Sequence, residues 1–224
     1  MTETDRFELF SYWRSSATYR VRVAFNLKGV PRRETNVDID AGEQHGEAFR
    51  RVNPLGGIPA LIDHGPGESA LPITQSLAIL EFLDETHPQP PLLPADAPGR
   101  ARVRAIAQML SADTHPLVTP RVRQYLTTAG GFDADAWRAW QVQWFGAGLR
   151  AVEARLAGEA GTGRFCHGDQ PTLADICLAS MFSVMRVFKI AFDDIPTCMR
   201  IMAECEKLEA FAAADPMRQA GAPH

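Results

Sequence analysis

Four prolines fall within the eight residues His87-Pro88-Gln89-Pro90-Pro91-Leu92-Leu93-Pro94 and divide the chain into halves with different periodicities. Each proline lacks an amide hydrogen and fixes its own φ, so prolines this dense support neither helix nor strand ladder and read as a stiff linker. Before the linker, strand-like runs at Glu8–Tyr12, Arg33–Asp38, Ala60–Asp63 and Ala70–Thr74 alternate with helical patterns at Ser16–Lys28 and Gln75–His87. Gly46–Asn53 carries a less regular helical pattern. That order describes a βαβ unit followed by a hairpin and a helix. After the linker the pattern is helical almost throughout, over Pro98–Leu126, Asp133–Gly158, Thr172–Val187 and Pro196–Leu208. The expected organisation is an α/β domain over 1–88, a linker over 89–94 and an all-α domain over 95–224. A chain of 224 residues that is 46% hydrophobic can bury one large core or two modest ones.

Composition narrows the function classes. The net charge is −4 with both signs interspersed, and no basic stripe is present to track a nucleic-acid backbone. No apolar run reaches the roughly 18 residues that span a bilayer, and the N-terminus lacks a signal-peptide pattern. Cys166, Cys177, Cys198 and Cys205 show no CxxC spacing, so they read as buried free thiols rather than disulfides or a metal site. The expectation is a soluble cytoplasmic protein without a metal, a nucleic-acid partner or a membrane partner.

The most informative short run is Ser15-Ser16-Ala17-Thr18-Tyr19-Arg20-Val21-Arg22. It follows the first strand-like stretch and opens a mostly buried helix that ends at Gly29. Unpaired amides and the positive end of the helix dipole favour an anion at such a junction. Two hydroxyls there can receive a thiolate, a carboxylate or a phosphate; helix capping alone is the other reading. For a thiol of pKa about 8.5, half-ionisation at pH 7 requires roughly 2 kcal/mol. A hydroxyl hydrogen bond to a charged acceptor supplies about 1.5–3 kcal/mol and the helix end roughly 0.3–1 kcal/mol more. No histidine base is then needed.

Two further segments belong with it. In Asn53-Pro54-Leu55-Gly56-Gly57-Ile58-Pro59-Ala60-Leu61, a proline precedes a strand-like run, which fits an edge or a tight turn, with a cis bond as one solution. Such a turn would expose the backbone of Ile58 to an extended peptide; an ordinary loop is the alternative. In Ile73-Thr74-Gln75-Ser76-Leu77-Ala78-Ile79, Gln75 and Ser76 open the next helix and offer a second anion-receptive N-terminus.

Taken in this order, the three segments resemble the thioredoxin-like half of glutathione transferases, and they are most similar to the zeta-class group of maleylacetoacetate and maleylpyruvate isomerases. Leu92-Leu93-Pro94 and Gly168-Asp169-Gln170-Pro171-Thr172-Leu173-Ala174-Asp175 follow the same family pattern, and the likeness runs over residues 7–212. It implies a two-domain fold, a thioredoxin-like half and a helical half, with glutathione as cofactor and a homodimer as the assembly. It also implies that Ser15 stabilises the thiolate with Ser16 in support. Ile58, beside Pro59, would pair its backbone with the cysteinyl moiety, and Gln75 and Ser76 would hold the γ-glutamyl carboxylate. Gln44 would reach the glycyl end, with His45 as the neighbouring alternative. Ala17 departs from the cysteine common at that place in the isomerases. Thr172 and Asp175 read as a capping box, and His167 and Gly168 as loop residues.

Cations suggest the second substrate. Arg14 precedes the serine pair and would act beside the sulfur. His115 and Arg121 lie six residues apart, about 120° on one helix, and Arg186 interrupts an apolar run. The isomerase branch is similar at all four places. Three guanidinium forks suit a small dicarboxylate, although a salt bridge within the chain is the alternative for Arg186. The implied activity is glutathione-dependent cis–trans isomerisation of maleylacetoacetate or maleylpyruvate to the fumaryl product, in tyrosine or gentisate breakdown. A general transferase (conjugating, peroxidase or dehalogenating) and a non-catalytic interaction module are the alternatives.

Overall fold

The computed structural model describes residues 6–65 and 72–223. They form two compact units, one running through Leu92 and taking in the segment from Leu208 onward, the other spanning Leu93–Lys207.

The first unit is built on a four-stranded sheet in the order β2-β1-β3-β4. Strand β1 (Phe7–Ser11) leads into α1 (Ser16–Lys28), which crosses back to β2 (Arg33–Asn36), parallel to β1. A 3-10 turn at Glu43–His45 and the short α2 (Glu47–Val52) precede β3 (Ala60–Asp63), antiparallel to β1. Strand β4 (Ile73–Thr74) returns antiparallel to β3 and is followed by α3 (Ser76–Thr86). The expected strand over Ala70–Thr74 is seen only at its end; Ala70 and Leu71 lie outside the described residues.

Helix α1 forms where the pattern predicts it. Ser15 caps its start, and Gly29, at φ 64°, ends it by donating its amide to the Asn26 carbonyl. Its face is almost wholly buried, from Ser16 to Phe25. Phe25 meets Phe7 of β1 edge-on at 5.5 Å between ring centroids. On the other face of the sheet, Val37, Phe49 and Ala60 form a small core with Phe10, Val52 and Ile58 against it.

The helical unit contains α4 (Ala97–Gln108), α5 (Pro120–Thr128), α6 (Ala134–Gly158), α7 (Leu173–Val187) and α8 (Pro196–Glu206). Its central element is α7, buried from Leu173 to Met181. The capping box forms at its start. Asp175 accepts from the Thr172 amide at 2.8 Å and hydroxyl at 2.7 Å, and from the Cys166 amide at 2.7 Å.

Two expectations are corrected here. The single helix over Pro98–Leu126 is instead α4, a π turn at Met109–Thr114, a 3-10 turn at His115–Val118, and α5. Pro116 and Pro120 lack amide hydrogens, and Thr119 before Pro120 is driven to an extended ψ of 157°. The all-α domain also does not run to the terminus. Helix α9 (Glu209–Ala212) docks on α1, where Asn26 Nδ2 donates to the Ala210 carbonyl at 2.9 Å.

Candidate functional site

Strand register gathers the three singled-out segments. Phe10 pairs with Ala60 and Ala60 with Thr74, while Ser11 pairs with Asn36. The chain therefore leaves β1 toward Ser15, enters β3 from Ile58-Pro59, leaves β4 toward Gln75 and leaves β2 toward Asp40, all at one end of the sheet.

At this end Ser15 is both cap and candidate donor. Its Oγ accepts the Thr18 amide at 3.1 Å. A hydroxyl has one proton and two acceptor positions, so this bond leaves the proton for an outside acceptor. Capping and anion binding are thus compatible at Ser15. Ser16, the first helical residue, is buried. The turn before them is fixed by Arg22, whose Nη1 donates to the Trp13 carbonyl at 3.2 Å and the Tyr12 carbonyl at 3.5 Å. Its Nε and Nη2 hold Glu34 at 3.0 and 2.8 Å. Burial would raise the Glu34 carboxyl, but the Arg22 hydrogen bonds and the charges of Arg22 and Arg32 outweigh it and hold the group low.

Arg14 reaches Asp40 through Nη2, and Tyr12 donates its hydroxyl to the same carboxylate at 2.6 Å. Burial, followed by this bond to Asp40, pushes the Tyr12 phenol up. The Tyr12 hydroxyl is therefore a donor rather than a base.

Ile58-Pro59 is a cis peptide. The loop before it is braced by Asn53, which donates to the Gly57 carbonyl at 2.6 Å and accepts the Leu55 amide at 3.1 Å. Gln44 and His45 are brought against this loop. Gly56, at φ 68°, lies so close that a Cβ there would stand 2.9 Å from the Gln44 carbonyl oxygen. Gln44 Nε2 donates to the Ile39 carbonyl at 3.3 Å, and its buried Oε1 has no hydrogen-bond partner.

At the third segment, Gln75 has φ 71°, a conformation uncommon outside glycine, and Ser76 begins α3. Ser76 is buried, and its Oγ accepts from Arg20 Nη1 at 2.9 Å.

In the helical unit, His115 opens the 3-10 turn and Arg121 is exposed on α5, so the two do not lie on one helix as expected. Arg186 is exposed on α7 and pairs with Glu206 at 3.0 Å, the alternative reading of this residue. All four cysteines are free and buried. Burial raises the thiols of Cys166, Cys198 and Cys205, with nearby carboxylates adding to it, so they stay protonated at neutral pH and are not nucleophiles.

Residues 6–85 match the model for the glutathione S-transferase N-terminal domain, and residues 133–214 the model for the C-terminal domain. The chain belongs to the glutathione S-transferase family. A maleylpyruvate isomerase of Ralstonia sp. is 41% identical over 95% of this chain and 98% of its own length. A maleylacetoacetate isomerase of Rhizobium meliloti is 39% identical over 94% and 96%. Among solved structures, maleylacetoacetate isomerase from Methylobacterium extorquens AM1, with bound malonate and glutathione, superposes with a TM-score of 0.93. It is 46% identical and covers 97% of this chain and 100% of its own. A zeta-class maleylpyruvate isomerase superposes at 0.90, with 39% identity and coverage of 96% and 100%. Within the transferase family the chain groups with these zeta-class enzymes.

For a glutathione transferase the donor set is chemically apt. The tripeptide carries a thiol, two carboxylates and amides, and the sheet end offers two hydroxyl protons, two helix N-termini and the unpartnered Gln44 oxygen. Sequence reasoning did not single out Arg20 and Arg22. The available signal was two cations inside a helix whose neighbours are apolar.

Proposed function

We propose that the protein is a glutathione-dependent cis–trans isomerase of a small maleyl dicarboxylate, maleylacetoacetate or maleylpyruvate. The observation that carries this reading is the Ser15 hydroxyl, whose oxygen accepts the Thr18 amide and so keeps its own proton uncommitted, with Arg14 the residue before it in the chain. Glutathione, when bound, supplies a thiol nucleophile able to add reversibly to a conjugated double bond. Ser15 donates to the sulfur and lowers its pKa, Ser16 and the α1 dipole support it, and Ile58 with Pro59 aligns the cysteinyl backbone. Gln75 and Ser76 take the γ-glutamyl carboxylate, and Gln44 the glycyl end. Arg14, and in the helical unit His115, Arg121 and Arg186, take the carboxylates of the substrate. The reading extends to a cytoplasmic homodimer serving aromatic catabolism, since most closed homo-oligomers are two-fold.

The deciding assay follows loss of the cis substrate with and without glutathione, on maleylacetoacetate and maleylpyruvate in parallel. Turnover that requires glutathione but does not consume it supports the reading. Glutathione consumed in step with substrate would make the protein a conjugating transferase instead.

A further inference from the structure

Among the described residues Arg20 is the largest of the fully buried side chains, 2% exposed, yet nothing in the reaction sketched above uses it. Its Nη1 stands 2.9 Å from Ser76 Oγ. A guanidinium has five N–H donors and no acceptor, so Ser76 can only accept in this bond. The serine proton is therefore not used in the bond to Arg20 and is available to another acceptor. Gln75, just before it, has φ 71° and ψ 117°, which sets the chain at this helix entry in an uncommon conformation.

We infer that Arg20 is the positioning residue for the γ-glutamyl carboxylate of glutathione, holding the Ser76 hydroxyl as an outward donor to that anion. The inference rests on the docking of the γ-glutamyl end at Gln75 and Ser76. Three features act together. The hydrogen bond fixes the rotamer of Ser76, and the cation behind it strengthens the serine as a donor, because a bond polarised by a neighbour in a low-dielectric interior is strengthened. The α3 N-terminus adds its partial positive charge to the same point. A guanidinium is a cation at neutral pH, so the arrangement suits an anion. The two serines are then built alike. Thr18 occupies the acceptor side of Ser15, Arg20 that of Ser76, and each leaves a proton for glutathione.

The test compares two ligands without a free thiol on the full-length protein by calorimetry. One is S-methylglutathione; the other is its analogue with the γ-glutamyl α-carboxylate converted to the carboxamide. The native protein should prefer the acid. Arg20→Met should weaken binding of the acid about tenfold while leaving the amide within about twofold, since a hydrogen bond to a charged group carries a difference of that size. Arg20→Lys, which keeps the charge without the fork, should restore part of the preference; where Arg20→Met does not fold, the lysine variant decides alone by binding the acid less selectively than native. A general loosening of the fold would weaken both ligands alike and leave the ratio unmoved, which overturns the inference. If Ser76→Ala abolishes the preference and neither arginine variant changes it, the docking stands and Arg20 is not the positioning residue. A preference that survives Ser76→Ala as well would overturn the docking itself.

Discussion

Ser15 Oγ accepts the Thr18 amide at 3.1 Å, so one oxygen both starts α1 and stays competent to donate its proton. The two roles separate by substitution. Ser15→Ala removes cap and donor together; it should cost about 0.5–2 kcal/mol of stability. It should also raise the pKa of bound glutathione by about 1.5 units. Ser15→Asp keeps a strong cap but offers no proton, so stability should be retained while the thiol pKa rises further than in the alanine variant. Turnover of both should recover partly at alkaline pH. Thiolate absorbance titrated at saturating glutathione reads the shift, and thermal unfolding reads the cap.

The Arg22–Glu34 pair gives the turn before Ser15 a pH dependence. Glu34 is held below its ordinary value by the fork of Arg22 despite its burial. A carboxylate with a lowered folded pKa contributes stability that is full above the unfolded value, about 4.3, and is lost as pH falls through the folded one. Glu34→Gln should therefore lower Tm at neutral pH and flatten its fall below about pH 4. Because Arg22 also anchors the Tyr12 and Trp13 carbonyls, the same variant should raise the bound-thiol pKa slightly. A Tm profile parallel to that of the native protein would remove Glu34 from this role.

Asp175 behaves with the opposite sign. Burial raises its pKa although the Cys166 amide and the Thr172 amide and hydroxyl all donate to it. Asp175→Ala would leave three buried donors without their acceptor, at about 1–3 kcal/mol each, for a total of at least about 3 kcal/mol. A raised folded pKa means that native stability declines as pH climbs from about 3.9 through the folded value. The penalty of Asp175→Asn should therefore be largest near pH 4 and shrink toward neutrality. Denaturant unfolding at several pH values checks this, and turnover per folded molecule should stay native.

Much of this architecture is written in local chemistry. The proline cluster, the Ser15 cap and the Gly29 stop of α1 act within a few residues of themselves, so pattern reading finds them. The helix broken between Gln108 and Pro120 was also locally encoded, by Pro116 and Pro120, but the apolar periodicity of the surrounding run hides it. Other features depend on contacts between distant positions. Arg20 meets Ser76 fifty-six residues away, and α9 meets α1 through Asn26 and Ala210. A cation within an apolar helix signals that a partner exists without saying which one. The same holds for Arg14, whose partner Asp40 follows β2 in a loop that sequence alone could not position.

Arg186 and Glu206 form an exposed pair, with side chains 56% and 51% accessible at 3.0 Å. Such pairs contribute about 0–1 kcal/mol, so a carboxylate of the substrate can displace Glu206 at little cost. Arg186→Ala should then lower kcat/KM for the dicarboxylate by roughly ten- to a hundredfold, and Arg121→Ala likewise, with glutathione affinity unchanged in both. Glu206→Gln should move the other way: with its competitor neutral, Arg186 is freer for substrate, and KM should fall up to about fivefold with Tm nearly unchanged. Steady-state kinetics on the three variants, with glutathione binding measured in parallel, separates the two readings of this arginine. If Arg186→Ala and Glu206→Gln both leave KM at the native value, the pair belongs to the surface of α7 and α8.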